Sequence, residues 1–175
     1  AIATALHPRA RDEPDTPAAE ETEAAPDVND VDIMKDIDVT KLDWSLLDFP
    51  AHDGLRALLR DLNHLYRDEA ALYEFDFDPR GFRWIDCHDA DQSVLSLVRQ
   101  GRQDADKIVV LLNFTPVPRH GYRIGVPGDF AWREVLNTDS EFYGGGNMGN
   151  GRLLHPQNQP WMGFEQSLVI TIPPL

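Results

Sequence analysis

The chain has 175 residues, 42% of them hydrophobic, and a formal charge of −14, enough material for one compact domain with a helix or tail beside it. The charge argues against nucleic acid and anionic membrane as partners, because affinity for polyanions comes from Lys and Arg. A lone cysteine, Cys87, cannot close an internal disulfide, no stretch has the layout of a secretory signal, and the longest apolar run, Ile108 to Leu112, falls far short of the roughly 20 residues that cross a bilayer. A soluble, cytoplasmic protein is the expectation.

The charge is unevenly spread. Residues 1 to 40 hold eleven Asp and Glu against Arg9, Arg11 and Lys35, a net of −8 that leaves −6 for the remaining 135 residues. Residues 1 to about 30 are rich in Ala, Pro, Glu and Asp and contain no aromatic ring, so they cannot bury enough apolar area to offset the entropy of ordering. Residues 1–40 are therefore expected to be a disordered acidic tail.

From Gly54 to Arg67, apolar Leu55, Leu58, Leu59, Leu62, Leu65 and Tyr66 recur at steps of three and four, the spacing of an amphipathic helix. Pro50 lies just upstream and Asp53 is the expected N-cap. With Trp44, Leu46, Leu47 and Phe49 before it, this stripe needs a partner surface, since a helix of that length is marginal alone. After the turn sequence Asp78-Pro79-Arg80-Gly81 the pattern changes to strands. Phe82 to Ile85 and Ser93 to Val98 form an expected hairpin with a longish polar loop. Ile108 to Phe114 is apolar on both faces, as in a central strand covered on two sides. Tyr122 to Val126, Trp132 to Leu136 and Leu168 to Ile172 complete six short strands. The fold class is mostly β, an antiparallel β-sandwich preceded by one amphipathic helix.

Local constellations of chemical interest are weak. Gly144 to Gly149 matches G-x-G-x-x-G, but Gly151, Pro156 and Pro160 follow where a dinucleotide site needs a helix; a flexible surface loop is the expectation. Cys87, His88 and Asp89 invite a triad reading, yet neighbours on an extended chain point to opposite faces. Six scattered histidines and no Cys-x-x-Cys give no zinc pattern, and no cofactor is expected. Asp76, Asp78, Asp86, Asp89 and Asp91 fall in turns and loops, where a solvated surface accounts for them. Among the aromatic residues, Trp84 and Trp132 lie inside strand patterns and are expected in the core, while Tyr143 and Trp161 lie in loops as candidates for stacking on sugar faces.

Longer stretches carry more than their periodicity. Residues 42–86, 92–101, 111–128, 132–151 and 167–175, with NFTPVPRHGYRIGVP and WREVLNTDSEFYGG the most specific among them, resemble the end of bacterial 1,4-α-glucan branching enzymes of the α-amylase superfamily. The resemblance implies that residues 41–72 are the last helical segment of a (β/α)-barrel and that 73–175 are the carboxy-terminal β-sandwich. It implies an enzyme that cleaves an α-1,4 glucan chain and transfers it to a 6-hydroxyl, through an Asp nucleophile and a Glu acid/base on the barrel. Those catalytic residues have no counterpart here, their place being upstream of Leu42, and the chain alone is expected to be inactive: a gene fragment, a split reading frame or a paralogue. Its expected partners are α-glucan, through the whole enzyme, and a separately encoded barrel. The alternatives are a free-standing glucan-binding module, with Tyr143 and Trp161 as contacts, or a scaffold fragment docking on that barrel.

Overall fold

The computed structural model describes residues 2–8, 43–151 and 153–175. Six strands appear where the alternation predicts them: β2 (Phe82–Asp89), β3 (Val94–Gln100), β4 (Lys107–Asn113), β5 (Arg119–Val126), β6 (Trp132–Asn137) and β7 (Gln166–Ile172). One strand was not expected: β1, Ile2–Pro8. The expectation of disorder over 1–40 therefore fails for this portion, and the rest of that tail, 9–42, lies outside the described residues. The physical reason is local: six of the first eight residues are apolar, none is acidic, and the first acidic residue is Asp12, so averaging over the whole acidic stretch concealed a segment able to pair.

Five strands form one sheet in the order β2-β3-β4-β1-β6, and β5 pairs with β7 in a second. Every pairing is antiparallel. The sheets face each other across Ile85, Val94, Val98, Val109 and Leu111 from the first and Tyr122, Ile124, Val126, Leu168, Ile170 and Ile172 from the second, with Trp132 buried among them. Each such aliphatic side chain contributes about 1.5–3 kcal/mol on burial. This is the expected sandwich.

The outer face of the larger sheet is covered by helix α1 (Pro50–Asp68) and the short α2 (Ala70–Tyr73). Ala71, Ile108 and Leu136 make a second core there, with Leu58, Leu65, Leu72, Val110, Val135 and Tyr143 packed on it. β4 thus gives Val109 and Leu111 to one core and Ile108 and Val110 to the other, as a run apolar on both faces requires. Helix α1 begins four residues before the expected Gly54. Pro50 takes the first helical position and Phe49 the cap, because proline's fixed φ suits that site and its absent N–H costs nothing there. Asp53 is not the N-cap; it lies in the first turn and accepts from Arg56 Nε at 2.9 Å.

Candidate functional site

Two stripes run along α1. Leu58 and Leu65 pack on the sheet, whereas Leu55, Leu59, Leu62 and Tyr66, spaced four, three and four apart, are exposed. A 3-10 turn before the helix, Trp44–Asp48, adds exposed Trp44 and Leu46, and Phe49 follows. On the edge strand β2, Phe82 faces Arg99, which faces Ile108 of the helix-side core. Residues paired across strands share a face, so Phe82 and Trp84 lie on the helix side too. Both are exposed, with rings edge-on at 5.0 Å. Trp84 is therefore not the core residue its strand pattern predicted: β2 is an edge, and the helices cover the centre of the sheet. Trp132, by contrast, is wholly buried.

Tyr143 and Trp161 sit on different supports. Tyr143 ends a 3-10 turn, Glu141–Tyr143, and packs against the helix-side core. Its hydroxyl donates to Asp61 Oδ2 at 2.9 Å; burial, and then the Asp61 carboxylate, push the phenol up to about 12. Helix and turn touch so closely that a Cβ on Gly54 would lie 2.7 Å from the Tyr143 carbonyl oxygen. Trp161 opens a tight turn whose central residues, Met162 and Gly163, both have positive φ, and it exchanges main-chain hydrogen bonds with Phe164. Its side chain remains 43% exposed, and Arg83 stacks over Phe164 at 4.2 Å beside it.

The glycine-rich loop is not the loose segment expected. Gly146 and Met148 N–H donate to the two carboxylate oxygens of Asp139, at 2.8 and 3.0 Å, and Asn147 N–H to its carbonyl. The amides that would face a phosphate in a dinucleotide site are committed to an internal carboxylate. Asn150 then ties this loop to strand β7, donating to Thr171 C=O and to Glu134, and accepting from Thr171 N–H. Burial holds the Glu134 carboxyl above its ordinary range against the opposing effect of the Asn150 bonds.

The adjacent Cys87 and His88 do converge, contrary to the alternation argument, with Sγ 3.6 Å from Nδ1. Register shifts flank this part of β2 and break the regular pleat. The same Nδ1 also faces Asp86, at 3.7 Å, whereas a triad needs one ring nitrogen on the nucleophile and the other on the acid. Asp89 is engaged elsewhere, accepting from Tyr122 Oη at 2.9 Å and from Gln92. Asp76 accepts from Arg99 and Tyr66, and Asp78 caps the turn at Arg80. These carboxylates hold the fold rather than simply decorating a solvated surface. Among the described residues, no three His, Cys, Asp or Glu side chains cluster as metal ligands, and no helix is long and apolar enough to cross a membrane.

A family model described as alpha amylase, C-terminal all-beta domain, matches residues 84–175, from β2 to the last residue of the chain. The chain belongs to this family. Beyond the all-beta domain, similarity extends upstream through α1. The 1,4-alpha-glucan branching enzyme GlgB of Thiobacillus denitrificans is 74% identical over 135 residues, covering 77% of this chain and 18% of the relative. The branching enzyme of Methylobacillus flagellatus is 54% identical over 136 residues, 78% of this chain and 19% of the relative, and that of Cellvibrio japonicus 52% over 134, 77% and 18%. The chain thus spans under a fifth of the length of these relatives, and the matched part is their carboxy-terminal region, the all-beta domain with the helix that precedes it.

Proposed function

We propose that this chain serves as the non-catalytic carboxy-terminal part of a 1,4-α-glucan branching enzyme, in which chain cleavage and transfer to a 6-hydroxyl occur on another part of the protein. The observation that carries this is the uncovered apolar side: the α1 stripe Leu55, Leu59, Leu62 and Tyr66, together with Trp44, Phe82 and Trp84, is dressed for contact rather than for water. In this reading residues 41–72 are the last helical segment of a (β/α)-barrel, 73–175 are the sandwich that braces it, and α-glucan is the substrate of the assembled enzyme. The barrel supplies the Asp nucleophile and Glu acid/base, and the chain alone is inactive. The lone Cys87, unpaired, suits a reducing cytoplasm. Incubation of the purified chain with amylose should leave iodine colour unchanged; a fall in colour overturns the assignment of inactivity.

A second reading, a free-standing module that holds α-glucan, draws on the exposure of Trp161. Tyr143 is the weaker contact of the two, since its hydroxyl and its packing serve α1. Electrophoresis in a gel containing glycogen should retard the wild-type chain more than a Trp161→Ala variant, and equal mobility in gels with and without glycogen removes this reading.

A further inference from the structure

The place between β4 and β6 is filled by a strand that neither neighbour delivers. β1 pairs with β4 from Ile2 opposite Asn113 to Leu6 opposite Val109, and with β6 from Thr4 opposite Asn137 to Pro8 opposite Trp132. β4 and β6 are joined in sequence through β5, which belongs to the other sheet, so no hairpin closes the gap between them. Residues 9–42 separate β1 from the helical region, and 34 residues can reach roughly 110 Å when extended. A connection that long dictates neither the register nor the direction of β1. The main-chain ladders must do so.

The strands on either side of this place are anchored in the cores. Val109 and Leu111 of β4 and Trp132 and Leu136 of β6 are all nearly or fully inaccessible. Without β1, both strands would present unpaired N–H and C=O groups beside that core, and such groups are costly when buried and adhesive when exposed. Close by, Leu175 N–H donates to Thr115 C=O at 2.7 Å, two residues beyond Asn113, the partner of Ile2.

We infer that the β4–β6 slot is a strand-acceptor site. Its resident ligand is the chain's own Ile2–Pro8, and the occupant it takes in trans is the same segment from a second copy, bound by main-chain pairing on both sides. Covalent attachment to the same chain gives the resident strand an advantage that free copies at low concentration do not have. Filling in cis therefore prevails at micromolar protein, and binding in trans becomes visible once the resident strand is crippled and an intact copy of the segment is supplied separately.

The test uses the full chain carrying Thr4→Pro and Ala5→Pro, adjacent positions whose N–H groups point to opposite neighbours. Amide hydrogen exchange over Val109–Leu112 and Val135–Leu136 should accelerate at least roughly tenfold. A synthetic peptide of residues 1–9, added at about 1 mM, should restore protection, and the peptide with the same two prolines should not. Unchanged exchange in the variant, or no restoration by the wild-type peptide while circular dichroism shows a folded chain, overturns the proposal. Should the proline variant unfold, Ala5→Cys with Val110→Cys in a Cys87→Ser chain decides instead, because directly opposed residues lie within disulfide reach. A bridge within one chain or between two copies supports the acceptor site; absence of both overturns it.

Discussion

Tyr143 shows how a single hydroxyl ties two parts of the chain together. The turn that carries it lies 82 residues from Asp61 in sequence, and their hydrogen bond pins α1 beside the sandwich. The folded phenol is raised to about 12 from an ordinary value of 10.0, so its contribution is intact below pH 10 and disappears as pH rises through about 12. Tyr143→Phe should cost about 1 kcal/mol at pH 8, the net worth of one such bond. Urea titrations should then show the gap between variant and wild type closing above pH 12. Sequence reasoning placed this ring in a loop, correctly, and offered it to a sugar. No periodicity could reveal its partner, because contacts between a turn and a distant helix leave no local pattern. The same holds for Asp76 and Asp89, whose partners Arg99 and Tyr122 lie on strands far along the chain. Cys87 and His88 met for a related reason: the bulged register of β2 is invisible to an argument that assumes a regular pleat.

At the scale of elements, six strands and one helix were legible because each shows its period in the sequence. The two-faced burial of β4 followed directly from its unbroken apolar run. β1 escaped because its pairing partners begin more than a hundred residues away and its own seven residues adjoin an acidic stretch. Helix α1 illustrates a second limit. Its wide apolar arc was plain, but not which half is covered by the sheet. Gly54 marks the covered side, buried against the Tyr143 main chain. In an exposed helix Gly→Ala stabilises by up to about 1 kcal/mol, whereas here even a methyl group would enter a 2.7 Å gap. Gly54→Val should therefore lower stability by roughly 1–3 kcal/mol, as overpacking does, and thermal unfolding should show it.

At the scale of the whole molecule, the described residues make one finished side and one unfinished side. The sandwich core is closed, while the helix side displays Leu55, Leu59, Leu62 and Tyr66 to solvent. Replacing Leu55 and Leu59 by Lys should reduce binding of a dye that reports apolar surface and reduce self-association at high concentration. It should change unfolding free energy by no more than about 0.5 kcal/mol per site, because neither side chain belongs to a core. That α1 and the Trp44 to Phe49 segment before it need a partner surface was legible from their apolar residues; the part played by Phe82 and Trp84 was not, since it depends on β2 being an edge. The distribution of indoles also gives the chain a built-in optical ruler. Trp132 is 0% exposed, against 71% for Trp44, 46% for Trp84 and 43% for Trp161. A soluble collisional quencher should extinguish the emission of the last three and leave a blue-shifted remainder from Trp132. That remainder reports the integrity of the sandwich, while loss of quenching at Trp44 and Trp84, with Trp161 as the constant background, reads out whatever comes to cover the helix side, so unfolding and docking can be followed separately in one unlabelled sample.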